Sequence, residues 1–156
     1  MKKIILCILC IAMVISMVAC GASGSSSKNV EGTLSDIMKE IYSNSGVESP
    51  LVMDFPVDDS NKASMLGSND VKFTEALASE AAIMTIPHSM VLLRVEKSAD
   101  IEGIKKLIRD NVDPRKWICV GVDPENVIVD SIGDLVFLVM SENAKAYHDS
   151  FLKLGA

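Results

Sequence analysis

Downstream of residue 20, the side chains best suited to acid–base, nucleophilic or metal chemistry are His88, His148 and Cys119. His88-Ser89 and His148-Asp149-Ser150 set the letters of a hydrolytic triad side by side. Triad members meet in space from separate elements, however, and the chain has no Gly-x-Ser-x-Gly elbow. Zinc wants several ligands at regular spacing, and downstream of residue 20 neither His-Glu-x-x-His nor a cysteine pair is present, since Cys7 and Cys10 leave with the signal. Phosphate-cradling glycine loops are missing too. Oxygen ligands gather at Asp123, Glu125, Asn126, Asp130 and Asp134. They lack the order of an EF-hand loop, and such residues are the ordinary stock of turns. The sequence therefore assigns no catalytic residue, no metal and no cofactor. Cys119, in Trp117-Ile118-Cys119-Val120, reads as a small buried hydrophobe on a strand. The most pointed polar cluster is Arg115-Lys116-Trp117, since Arg and Trp commonly anchor interfaces. The competing expectation starts a core strand at Trp117 and leaves both bases in solvent.

These residues need a scaffold. Thr33-Leu34-Ser35-Asp36 resembles a capping box, and Leu34, Ile37, Met38, Ile41 and Tyr42 follow at helical spacing up to Gly46. Residues 46–70 read as irregular around Pro50, Pro56, Asp58-Asp59 and Gly67. Residues 71–86 are ambiguous: the alanines favour helix, while 81–86 also suit a strand. Residues 89–95 predict a strand with Val91, Leu93 and Val95 on one face, and Ser98 predicts the cap of a helix carrying Ile101, Ile104, Leu107 and Ile108 inward. A strand over 117–122 follows. Asp123-Pro124 turns it into a second at 127–130, and Ser131 to Asp134 turns again into 135–140. Ser141 caps a last helix with Ala144, Tyr147, Phe151 and Leu154 on one face. The fold class is α+β: a largely antiparallel sheet with helices packed on one face, loosely ferredoxin-like.

Lys2 and Lys3 precede an apolar run over residues 4–19, broken only by Ser16 and ending at Ala19-Cys20. A basic start, an apolar stretch and a small residue before the cut make a secretory signal, and the run is short for a membrane span. Val18-Ala19-Cys20 resembles the lipobox of bacterial lipoproteins, although Met17 stands where leucine is usual. That resemblance implies a diacylated Cys20 as the first mature residue, and two acyl chains anchor a protein stably. The expected organisation is a lipoprotein signal over 1–19, a lipidated cysteine and Gly/Ser tether over 20–30, and one domain over 31–156. The whole chain carries a net charge of −6, and removing Lys2 and Lys3 with the signal makes it −8. Nucleic acid is excluded by that sign, and a second, polybasic membrane contact is disfavoured.

The stretches 76–80, 88–95, 111–120, and 127–130 through 133–136 together resemble one family. It is a group of small lipoproteins from Gram-positive bacteria, catalogued only as a domain of unknown function. The resemblance spans residue 34 to the C-terminus. It implies a cell-surface lipoprotein and an α+β domain, and brings no activity and no catalytic residues. The expected function is a non-catalytic binding or interaction module, held to the membrane through Cys20, with an envelope protein as partner. The alternative is a small envelope hydrolase using His88 or His148 as base.

Overall fold

The computed structural model describes residues 29–156. The signal, Cys20 and most of the tether lie outside them. Helix α1 spans Leu34–Asn44. It opens as the capping box requires, with the Thr33 hydroxyl oxygen accepting the Asp36 N–H at 3.1 Å. Strand β1 (Val52–Pro56) and the short helix α2 (Lys62–Leu66) follow, then β2 (Glu75–Ala81) and β3 (His88–Arg94). Helix α3 (Ile101–Asn111) leads through a long loop to β4 (Val127–Ile132), β5 (Leu135–Ser141) and α4 (Ala144–Lys153). All pairings are antiparallel, in the order β1-β2-β3-β5-β4.

An α+β fold with an antiparallel sheet is what the sequence implies, but both faces of the sheet are covered. Alternate residues of β3 and β5 divide between two cores. Val91, Leu93, Val136 and Leu138 pack with Leu66, Ile108 and Trp117 beneath α2, α3 and the 112–122 loop. Met90, Leu92, Phe137 and Val139 pack with Leu34, Ile41, Tyr147 and Phe151 beneath α1 and α4. A fully buried Leu or Phe stabilises by about 1.5–3 kcal/mol, so neither face can be left open. Strands β3 and β4 run parallel with β5 between them, joined through α3. That is the split unit of a ferredoxin-like fold, with the departure that α4 crosses to the opposite face from α3.

Several local expectations fail for identifiable reasons. Residues 46–70 contain β1 and α2, not an irregular stretch. Residues 75–81 form a strand despite their alanines, because pairing on both sides outweighs helix propensity. Residues 117–122 form no strand. The Val122 N–H donates to the Pro114 carbonyl at 3.0 Å and closes the segment into a loop. Within it Cys119 is exposed with φ 62°, not buried on a strand. The Asp123-Pro124 turn does form, as a 3₁₀ turn with the Asn126 N–H on the Asp123 carbonyl at 2.8 Å. Asn29 and Val30, assigned to the tether by composition, belong to the domain: Val30 is buried in the α1/α4 core. Asn143, not Ser141, sits at the N-cap of α4; the Ser141 hydroxyl meets His88 Nδ1 and accepts the Asn143 N–H at 3.3 Å.

The cap of α3 is Asp100, whose carboxylate accepts the Gly103 N–H at 2.9 Å, and not Ser98. Asp100→Ala is therefore expected to destabilise by about 1 kcal/mol, whereas Ser98→Ala stays within about 0.5 kcal/mol of the parent. Urea unfolding of the two variants checks this.

Candidate functional site

The end of the sheet where β3 begins carries two polar clusters back to back. Consecutive strand residues point to opposite faces, so Ser79 and His88 fall on one side and Glu80 and Ser89 on the other.

On the α1/α4 side, His88 is 1% exposed. Its Nε2 lies 2.8 Å from the Tyr42 hydroxyl and its Nδ1 3.1 Å from Ser141 Oγ. Tyr42 also donates to Ser79 Oγ at 3.0 Å. With the phenol proton given to Ser79, a neutral imidazole is satisfied as the Nε2–H tautomer, donating to Tyr42 and accepting from Ser141 at Nδ1. Burial pushes His88 down to about 4 and raises the Tyr42 phenol well above its usual value. A cleft of about 330 Å³, lined in part by Ser49, Pro87, Ser141 and Asn143, reaches this cluster. Ser141 and His88 therefore supply a hydroxyl and a base in contact. The third position, where a triad holds a carboxylate to orient the ring and stabilise imidazolium, is taken by a phenol.

His148 lies elsewhere, on α4. Its Nε2 is 2.8 Å from Asp130, which is also 3.2 Å from Lys105 Nζ. Burial raises the Asp130 carboxyl, but hydrogen bonds from His148, the Ser131 N–H and Lys105 outweigh it and hold the group below its ordinary value. Among the described residues no hydroxyl hydrogen-bonds to this pair, so the arrangement is a polar cluster around Asp130 without a nucleophile. The oxygen-rich residues 123–134 do not converge either: Asp130 serves His148, and Asp134 pairs with Arg94 at 3.4 Å. Among the described residues no group of three or more His, Cys, Asp or Glu could hold a metal ion.

On the opposite side of the sheet, the 112–122 loop lays Lys116 and Trp117 over the Glu80–Ser89 cross-strand pair. Lys116 Nζ is 2.8 Å from Glu80 and 3.1 Å from Ser89 Oγ, and Ser89 also donates to Glu80. The ammonium lies 5.5 Å from the Trp117 ring centroid. A serine beside a lysine suggests acyl transfer, but this lysine is committed to a carboxylate and Ser89 is fully buried. Above the pair opens a cleft of about 250 Å³ walled by Met53, Phe55, Met65, Met84 and Trp117. Trp117 is 6% exposed, and its indole N–H is buried with no acceptor among the described residues.

Of the three residues expected to act together, Lys116 and Trp117 line the cleft over Glu80, while Arg115 is exposed and lines a neighbouring hollow with Trp117, Cys119 and Asp123. Glu80 and Ser79 escaped the sequence reading, Tyr42 and Ser141 entered it only as a helix-face residue and a helix cap, and Ser89 only as a letter beside His88. Glu80 alone carried a signal, as a charge inside an alanine-rich strand.

Fold and site together define a single α+β domain with an apolar cleft over a neutralised ion pair. Comparison with family models, with curated proteins and with solved structures finds no match. Among the described residues no helix is long and apolar enough to cross a membrane.

Proposed function

We propose that this protein is a membrane-anchored extracytoplasmic lipoprotein, tethered through Cys20, that works as a non-catalytic interaction module in the cell envelope. The lipobox-like Val18-Ala19-Cys20, the Gly/Ser tether and the resemblance to small Gram-positive lipoproteins support the address. The observation that carries the molecular role is the rim of the Trp117 cleft. Of six large apolar side chains exposed among the described residues, Leu51 and Met53 lie just before and within β1, Ile83 and Met84 in the turn after β2, and Ile118 in the loop beside Trp117; Met53 and Met84 line the cleft. The β2 turn is fastened to the first of these by the Ala82 N–H on the Leu51 carbonyl at 2.8 Å. Exposed apolar side chains around a cleft with adaptable methionines and an aromatic floor are the usual form of a contact surface.

The way the chain enters the domain supports an outward-facing patch. Arg94, at the far end of β3, donates to the carbonyls of Val30 and Gly32 at 2.9 and 2.8 Å. The chain therefore enters the domain about 17 Å along β3 from Ser89, at the end of the strand opposite the cleft. A photocrosslinking residue at Met53 in living cells is expected to yield one recurrent envelope adduct, lost in Cys20→Ala and in Met84→Glu. No adduct from a folded, acylated protein would overturn the interaction role and favour the hydrolase reading, in which the Ser141–His88 contact would do the chemistry.

A further inference from the structure

Resting on that interaction role, we infer what the partner presents: an extended segment, alternating apolar and basic residues, that adds as a sixth strand to the free edge of β1. The ladder fixes which groups are available. The Val57 N–H donates to the Ala76 carbonyl and the Ala82 N–H to the Leu51 carbonyl. Antiparallel pairs alternate, so residues 51, 53, 55 and 57 turn their amides toward β2, and Val52 and Asp54 turn theirs outward. No hydrogen bond from another described segment reaches those outward groups. Pro50 and Pro56 have no N–H, and the Pro56 carbonyl already accepts from Asn61 at 3.0 Å. The open edge is thus a short window offering two donors and two acceptors, a length that discourages indiscriminate sheet extension and suits strand addition by a short segment.

Side chains specify the occupant. Met53 shares a face with Glu80 and borders the Trp117 cleft, so an added residue beside it extends the apolar wall and should be apolar. Asp54 lies on the opposite face and is exposed, so an added residue beside it is best basic. The same charge disfavours a second copy of this chain: antiparallel β1–β1 pairing centred on Asp54 would oppose two carboxylates.

The test uses the acylated full chain in a non-ionic detergent and two capped seven-residue peptides, one alternating Lys and Val, the other Glu and Val. The Lys/Val peptide should slow amide exchange at Val52 and Asp54 about tenfold or more at saturation, and bind about fivefold more tightly than the Glu/Val peptide. Asp54→Lys should invert that order. Equal binding of both peptides, or binding with unprotected Val52 and Asp54 amides, overturns strand addition. So does a concentration-dependent dimer that protects those amides without peptide, which would make the second copy the occupant. A Met53 crosslinked partner whose binding leaves the edge unprotected refutes strand addition alone, while absence of any such partner refutes the interaction role itself.

Discussion

Between pH 7 and pH 4 the unfolding free energy should fall by about 3 kcal/mol, and His88→Gln should remove most of that slope. Burial holds His88 at about 4 in the fold, against an ordinary 6.5. A depressed value means that the unfolded chain binds the proton more readily. The stabilisation is therefore complete above pH 6.5 and is lost as pH falls toward 4, where the folded imidazole begins to charge. The shifted carboxyls of Asp58, Asp59, Asp130 and Asp149 act lower, because all are held below the usual carboxylate range. The interval between 6.5 and 4 thus belongs mainly to His88. Glutamine keeps a donor and an acceptor for Tyr42 and Ser141 without a titrating ring. Urea unfolding across this range checks both chains. A flat parent profile would mean that the ring charges in place, with water reaching it from the neighbouring cleft.

The sheet's centre was legible where periodicity was strong and misleading where it was absent. Residues 89–95 show Val91, Leu93 and Val95 at every second place, but Met90 and Leu92 fill the places between and are equally buried. Such an unbroken run, repeated in Leu135 to Met140, is the mark of a strand covered on both faces. Reading only one stripe produced a one-sided sheet. The loop over 117–122 failed differently. Ile118, Val120 and Val122 have strand propensity, but the fold has no place for another strand there, and the Val122–Pro114 hydrogen bond curls the segment back. That curl is what carries Lys116 over Glu80, a separation of 36 residues that no local pattern reveals. Arg115-Lys116-Trp117 was visible as an unusual cluster; its counterion and its cleft were not.

Glu80→Ala is expected to cost about 3–5 kcal/mol, the largest loss of any single substitution considered, because it strands a buried cation. The Lys116 and Glu80 side chains are only 11% and 14% exposed. With the carboxylate gone, the ammonium retains Ser89 Oγ and a Met65 sulfur at 3.7 Å, a weak acceptor. Replacing both partners, Glu80→Leu with Lys116→Met, removes the charge and its desolvation cost together. That double variant should return to within about 1 kcal/mol of the parent, since well-packed apolar pairs often match buried ion pairs. Urea unfolding of both variants measures the two effects. A loss below about 1 kcal/mol in Glu80→Ala would show that Lys116 escapes to water through the cleft. A double variant as stable as the parent makes the ion pair dispensable for folding. Its Met53 crosslink then decides the pair's role: an adduct lost places Lys116 and Glu80 in the contact surface, and an adduct kept leaves the methionine and tryptophan walls to carry recognition.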